Sequence, residues 1–406
     1  MVTPRLLLLL PTTTYRATAF VEAARQLGVE LTVASERPST MQATNPAGLV
    51  TLDFREPSRA AETVREFAKQ NPITGVVGVD DDTAIVAAAI AERLHLKGNP
   101  IHAADAARDK HRQRELLAGS GVPVPHFELH MVAEDPERVA RAVRYPCVLK
   151  PLRLSASRGV IRADNAKGFV AAHARLKAIV GEPDAGYLVE EFIPGYEVAL
   201  EGLVVNRRLH VLAIFDKPDP LDGPFFEETI YVTPSMVPAA LQKSIVECTE
   251  RAVRALGITE GPIHAELRYN ERGPWLIELA ARPIGGRCSA VLRFGDTGIS
   301  LEEIILRNAL GMPIPSLERE PGAAGVMMIP IPGAGRLREV RGVAEAKAMP
   351  LVEDVQITAH PGEQLVPFPE GSRYPGFIFA RGAQPGVVEA ALRQAHARLQ
   401  FVLDPV

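Results

Sequence analysis

Residues 264–283 read HAELRYNERGPWLIELAARP. Alternation on both sides of Asn270-Glu271-Arg272-Gly273, with turn formers between, predicts two antiparallel strands joined by a tight turn. On the first strand His264, Glu266 and Arg268 share one face, while Ala265, Leu267 and Tyr269 share the other. On the second, Glu278, Ala280 and Arg282 point one way and Ile277, Leu279 and Ala281 the other. Superposing the apolar faces brings Glu266 opposite Glu278, within one residue of register. Like charges directly opposite in a sheet destabilise it. Something must compensate.

The rest of the chain narrows what that is. It has 406 residues, 47% apolar and 23% charged, with a net charge of −4. That length supports two or three domains with cores of their own. The slightly acidic balance argues against a broad nucleic-acid or anionic-membrane footprint. Cys147, Cys248 and Cys288 form no CxxC pair, so neither a disulfide framework nor a zinc site is indicated, and a reducing cytoplasm fits. The opening MVTPRLLLLLPTTT holds its leucine run, Leu6–Leu10, between two prolines. The run is shorter than the roughly 7–15 residues of a signal core and the ~20 of a membrane span. A buried parallel strand is the reading that remains.

Strand and helix patterns alternate through the first hundred residues: strand Leu6–Leu10, helix Ala17–Leu27 stopped by Gly28, strands Glu30–Ala34 and Leu49–Asp53, helix Ser58–Lys69, strand Ile73–Val79, helix Thr83–Leu94. This order predicts a parallel, doubly wound sheet, with PTTTYR and VDDDT as its ligand-facing carboxyl-end loops. A helix over Ala103–Gly119 then runs into GSGVPVP, a domain boundary. An α+β segment follows, with strands at Phe127–His130, Cys147–Lys150 and Tyr187–Glu190 and a helix at Asn165–Val180. Strand-rich sequence continues to about Gly311. Beyond PIPSLEREPG come strands Ala324–Ile329, Gln364–Val366 and Gly376–Ala380 and a final helix, Gly386–Arg398.

There is no P-loop, and GAGRLR at 333–338 does not open a βαβ unit. Neither G-x-S-x-G nor H-E-x-x-H occurs. In YPCVLKPLRLSASRGV, 145–160, an apolar strand ends in Lys150, and a loop of small polar residues follows. A lysine there needs an anionic partner, and such a loop can offer N–H groups and hydroxyls to phosphate. The alternative is an edge-strand lysine beside a solvated turn. In YLVEEFIPGYEVALEGLV, 187–204, Glu190, Glu191, Glu197 and Glu201 flank an apolar slot suited to a nucleoside; each can equally be a solvated strand charge. For the hairpin, a divalent cation between Glu266 and Glu278 removes the repulsion, and carboxylate oxygens select Mg²⁺ or Mn²⁺. Arg282 would stand beside it for a phosphate or carboxylate oxygen. The competing explanation pairs the two glutamates with Arg268 and Arg282.

Taken together, the lysine strand, the small flexible loop, the E-E-F-I hinge, the late E…E-x-x-x-R hairpin and the following IGG resemble the ATP-grasp superfamily, nearest its L-amino acid ligase and carboxylate–amine ligase branch. The resemblance covers nearly the whole chain. It implies an ATP-grasp fold, α/β and α+β in several domains: a parallel α/β pre-grasp domain at 1–120, a lid subdomain at 121–194, a large subdomain with the metal site at 195–320, and a C-terminal α+β domain at 321–406. It implies ATP with Mg²⁺ or Mn²⁺. Lys110 and Lys150 resemble the two phosphate-binding lysines. Ser155–Gly159 would be the loop closing over the triphosphate, with Ser157 and Arg158 as catalytic contacts beside Arg282. Glu190, Glu191, Phe192 and Ile193 would form the adenine hinge, read largely through its backbone, and Glu197 the ribose ligand. Glu266 and Glu278 would hold the metals. One departure is Ala280, where many superfamily members have an Asn as a further metal ligand.

The substrate side rests on FDKPDPLDGPFFEETIYVTPS, 215–235, which resembles a substrate-contacting segment of the ligase branch. Glu228 is there either for a substrate amine or as a solvated loop carboxylate. Asp81, with Asp80, either orients an amino group or caps a helix. Arg287 is a candidate carboxylate clamp, and His264 is grouped with the substrate residues. The reaction implied joins a carboxylate to an amine, amino acids foremost, through an acyl phosphate. Partners would be small molecules, with no nucleic acid and no membrane; a homodimer stays open. Rival outcomes are an ATP-grasp kinase, a biotin-carboxylase-like carboxylating enzyme, or an ATP-binding regulator without turnover.

Overall fold

The leucine run does become a central strand. In the computed structural model, which describes residues 3–405, Arg5–Leu9 lies inside a four-stranded parallel sheet. Met1, Val2 and Val406, at the ends of the outer segments, lie outside the described residues. The sheet runs Leu49–Thr51, Glu30–Ser35, Arg5–Leu9, Gly75–Gly78. Leu6 to Leu9 are fully buried because both faces are covered, as a parallel sheet requires. Asp80 caps the helix Asp81–Arg93 through a capping box with Thr83. Of the two candidate aspartates the cap is therefore Asp80, and Asp81 is free for other work.

The helix expected over Ala103–Gly119 is two helices, Ile101–Arg108 and Lys110–Gly119. Asp109 between them is extended, at φ −90° and ψ 110°, and its carboxylate accepts from the N–H groups of His111 and Arg112. Tertiary anchoring contributes to the break: the Lys110 N–H donates to the Leu152 carbonyl at 3.1 Å. Asp109 is itself a strong N-cap former, so its own carboxylate and the neighbouring carbonyl set the break together.

A second four-stranded sheet, Phe127–Met131, Gly186–Glu191, Cys147–Pro151, Ile161–Ala163, is antiparallel and backed by Pro136–Ala142 and Ala166–Val180. Lys150 sits on an inner strand of it and is buried, so the edge-strand reading is set aside.

The third sheet has eight strands in the order Gly273–Ala280, Gly261–Asn270, Tyr196–Val205, Arg208–Lys217, Ile230–Thr233, Ala323–Met328, Gly376–Gly382, Val352–Ile357. Every neighbouring pair is antiparallel. The sheet runs on across residue 320: Ile230–Thr233 pairs directly with Ala323–Met328. The segment around GAGRLR is the middle strand, Gly335–Arg341, of a small separate sheet, between Gln364–Leu365 and Gln400–Asp404. That last strand follows the final helix, Pro385–His396, and lay beyond the sequence reading.

In the hairpin Glu266 pairs with Glu278 in register. A bulge between Glu266 and Leu267 then shifts the partner strand by one residue. Leu276 and Leu279 consequently both enter the core with Ala265 and Leu267, under the helix Ala239–Leu256. Ile277, expected on the apolar face, instead lines the cleft beside Glu278.

Candidate active site

The cleft lies between the second sheet and the large one. It holds Lys110, Lys150, Ser155, Ser157, Glu190 to Ile193, Glu197, Glu228, Glu266, Arg268 and Glu278. Counted with the space open to solvent, it measures about 690 Å³.

Each hairpin glutamate has its own cation. Lys110 Nζ stands 3.1 Å from Glu278 Oε1 and also donates to the Leu154 carbonyl at 2.8 Å. Lys217 Nζ stands 3.3 Å from Glu266, 2.7 Å from Glu197 and 2.6 Å from Glu228. Neither glutamate pairs with Arg268 or Arg282 among the described residues, so that alternative falls. Arg268 donates to the carbonyls of Leu221 and Gly195 and to Asp222. Glu228 is also no solvated loop carboxylate, since it accepts from Lys217 and from the Tyr231 hydroxyl at 2.6 Å.

Carboxylate oxygens of Glu197, Glu228 and Glu266 lie within 4.8 Å of one another. That trio differs from the expected pair: Glu266 is gathered with Glu197 and Glu228, while Glu278 stands with Lys110. Three hard oxygens at this spacing fit an Mg²⁺-like cation. Burial works against the Lys217 ammonium, but the three carboxylates outweigh it and raise its pKa well above the ordinary lysine range. Burial would lift Glu266, yet Lys217 and His264 hold it well below the usual carboxylate value. His264 lies 3.3 Å from Glu266 and 3.4 Å from the fully buried Glu201. Burial disfavours the imidazolium, but these two carboxylates prevail and bring it to about 9.

The second lysine is likewise engaged. Lys150 Nζ contacts Glu190 Oε2 at 2.6 Å, and Arg114 Nε contacts Oε1 at 2.6 Å. Arg114 also bonds the Ile277 carbonyl, tying the helix after Asp109 to the hairpin. The Glu190 side chain therefore belongs to a buried ion cluster. In the rest of the hinge, the N–H groups of Glu191 and Phe192 already donate to His126 and Pro146. Phe192 and Ile193 are buried, and Phe192 carries the Arg162 guanidinium 4.1 Å above its ring.

Arg282 Nε contacts Asp81 at 2.9 Å, with a further bond from its Nη1 to the Pro283 carbonyl at 3.1 Å. Burial opposes the Asp81 carboxylate, but Arg282 overrides it and lowers its pKa. This pair links the carboxyl end of the first sheet to the end of the hairpin. Arg287 stands apart, bonded to Gln356 and 5.9 Å from the Phe377 ring centroid. In the loop, Ser155 and Ser157 line the cleft, Arg158 does not, and the Gly159 N–H donates to Pro369 at 2.9 Å.

Sequence reasoning missed Lys217 and Arg114, and set Arg268 against the hairpin glutamates rather than against Leu221, Gly195 and Asp222. For Lys217 the signal was present, because VLAIFDK ends an apolar strand in lysine just as YPCVLK does. Arg114 sits in KHRQREL, which reads as a solvated helix face and carries no such mark.

Three family models match along the chain. Residues 21–98 match the ATP-grasp N-terminal domain, 143–291 the ATP-grasp domain, and 327–404 the L-amino acid ligase C-terminal domain 2. An uncharacterised protein of Sinorhizobium fredii is 24% identical over 98% of this chain and 83% of its own length. Alanine–anticapsin ligase of Bacillus subtilis is 28% identical over 55% of this chain and 52% of its own, so the alignment spans about half of that relative. The crystal structure of an L-amino acid ligase from Bacillus licheniformis superposes with a TM-score of 0.83 at 29% identity, covering 99% of both chains. Matches of this extent, on a fold with this cleft, have one consequence: the chain belongs to the ATP-grasp superfamily, in the branch of the L-amino acid ligases, ATP-dependent ligases that form C–N bonds.

Proposed function

We propose that the protein joins a carboxylate to an amine, with amino acids as both substrates, through an acyl phosphate. The observation that carries this is the single cleft in which Lys110, Lys150 and Lys217 meet Glu197, Glu228, Glu266 and Glu278. Positive groups there suit a triphosphate, and the carboxylates suit the cation that accompanies it.

In this reading a substrate carboxylate oxygen attacks the γ-phosphorus, the bond to the bridging oxygen breaks, and ADP leaves. The amine nitrogen then attacks the acyl carbon, phosphate departs, and the nitrogen loses a proton. Lys110 and Lys150 neutralise phosphate oxygens, exchanging part of their hold on Glu278 and Glu190 for them. The hinge, Glu191 to Ile193, takes the base and Glu197 the ribose. Mg²⁺ or Mn²⁺ would be held by Glu266 with Glu228 of the trio, joined by Glu278 once Lys110 turns to a phosphate, and would supply charge neutralisation at the phosphates. Lys217 keeps its three carboxylates gathered. Arg282, its Nε fixed by Asp81, turns its remaining N–H groups to the acyl phosphate, which makes Asp81 an orienting residue rather than an amine ligand. The loop with Ser155 and Ser157 keeps water from the activated acid. Residues 1–120, 121–194, 195–320 and 321–406 act as pre-grasp, lid, large and C-terminal units. Three unpaired, buried cysteines suit the reducing cytoplasm, where we place the reaction.

The test is a panel of amino acids, singly and in pairs, assayed for ADP and phosphate release with Mg²⁺, and with hydroxylamine as trap. ADP release that requires a carboxylate substrate, with a hydroxamate recovered from it, is the expected result. ADP formation without any hydroxamate or amide moves the reading to a kinase or a carboxylating enzyme.

A further inference from the structure

The strand Gly273–Ala280 carries Glu278, yet it lies at the edge of the large sheet and has a strand partner on one side only. The bulge beside Glu278 leaves Ile277 without a counterpart in Gly261–Asn270, so the ladder is interrupted next to the carboxylate. The outward N–H and C=O groups of this edge need partners from elsewhere. Side chains of the helix Lys110–Gly119 and the segment after it supply them. Arg114 takes the Ile277 carbonyl, and the Leu276 N–H donates to the Pro123 carbonyl at 2.9 Å. Leu279 is met by a single group. Gln113 Nε2 donates to the Leu279 carbonyl at 2.8 Å, and the Leu279 N–H donates to Gln113 Oε1 at 3.1 Å. A carboxamide that gives to and takes from one residue does what a neighbouring strand would do.

Gln113 is also fully engaged and enclosed. Its Nε2 donates a second time, to the Ala107 carbonyl at 3.1 Å across the helix break, and the residue is 1% exposed. Two carbonyls and one N–H fix which way round the amide stands. Lys110, Gln113 and Arg114 are spaced i, i+3 and i+4, so they share one face of the helix. Lys110 answers the Glu278 side chain, and Arg114 answers Glu190 as well as a carbonyl. Gln113 answers backbone alone, and that backbone adjoins Glu278. The Glu278 side chain has to release Lys110 before it can join a cation. A side chain that changes partners needs a main chain that stays in place.

We propose that Gln113 is a positioning residue for the cation: by holding both backbone groups of Leu279, it sets where the Glu278 carboxylate stands in the cleft. The proposal rests on the reading of Glu278 as a metal ligand given above. Partners that orient metal ligands typically change affinity by about 10- to 100-fold without touching the ion. A merely structural carboxamide would change the Tm and leave metal binding by the folded protein as it was.

The measurement is Mn²⁺ binding to the full chain with saturating ADP, read from the electron paramagnetic resonance signal of the free ion. Gln113→Met keeps the approximate volume and removes the amide, whereas Gln113→Asn keeps the amide but is a methylene too short for Leu279. Each should weaken Mn²⁺ binding about 10- to 100-fold, while ADP affinity in EDTA stays at the wild-type value. Wild-type Mn²⁺ affinity in both variants, with only the Tm lowered, overturns the positioning role. So does a parallel loss of ADP affinity in EDTA, which would mean that the whole helix has moved. If Gln113→Met does not fold, Gln113→Asn decides; if neither folds, the residue is a structural staple and the proposal falls. Glu278→Gln tells the two readings apart. Normal Mn²⁺ binding by Glu278→Gln removes the metal ligand itself, whereas loss there with full retention in the Gln113 variants removes only the role of Gln113.

Discussion

Glu190 accepts two cations at once, Lys150 and Arg114, in a place closed to water. Burial alone would raise this carboxyl, but the two positive neighbours prevail and hold it below the ordinary glutamate value. A depressed folded pKa means stabilisation that is complete above the unfolded value and is lost as pH falls through the lower, folded one. Glu190→Gln leaves two buried cations with no counter-charge, which typically costs about 3–5 kcal/mol. Urea unfolding at pH 7 should show a loss of that order, and below pH ~4.3 the variant's stability should fall less steeply than the wild type's. Matching pH profiles in the two proteins would show that the carboxylate is not what the cations lean on. At this scale the sequence was half legible. A lysine closing an apolar strand announces a partner, as Lys150 does; the rule holds equally for Lys217. Arg114 had no such signature, because its burial depends on a hairpin more than a hundred and sixty residues away in sequence, met at the Ile277 carbonyl.

Elements were legible where their own residues decide them. Alternation and turn formers place the hairpin, and its register puts Glu266 against Glu278 as the pattern requires. The bulge one step later was not legible, because nothing in WLIEL distinguishes a regular strand from one that leaves Ile277 unpaired. The break at Asp109 was only half hidden: its capping carboxylate is in the sequence, while the carbonyl that anchors Lys110 belongs to the loop after Lys150. The lid is the element whose position depends most on contacts beyond itself. Arg175 reaches Glu370 and lies 4.6 Å over the Phe225 ring, while Gly159 holds Pro369. The ion pair is roughly two-fifths exposed at both ends, so Arg175→Ala should cost less than about 1 kcal/mol of global stability. Its effect should be on local opening. Trypsin should cut after Arg153 or Arg158 several-fold faster in the variant, and indistinguishable cleavage rates would remove this contact from the account of lid closure.

The whole molecule is organised by a sheet that ignores the division of the sequence into segments. Five strands from residues 196–280 run on into three from 323–382 with no gap in pairing. A chain ending at residue 320 would expose the edge of Ile230–Thr233, which carries Tyr231 and so the Glu228 end of the cleft. Unpaired apolar edges invite association. The truncated protein should therefore aggregate or lose a cooperative thermal transition, whereas a soluble, cooperatively melting fragment would show that the large sheet closes without its last strands. The order of segments was readable from the alternation of patterns, but their sharing of one sheet was not, since strand pairing across a hundred residues leaves no local trace. The same continuity bears on inheritance. A stretch of gene that encodes half a sheet cannot be traded between relatives as a self-sufficient cassette. A recombinant joined near residue 320 would have to bring the backbone partners of Ile230–Thr233 in step, so this catalytic half and its tail are expected to have descended together.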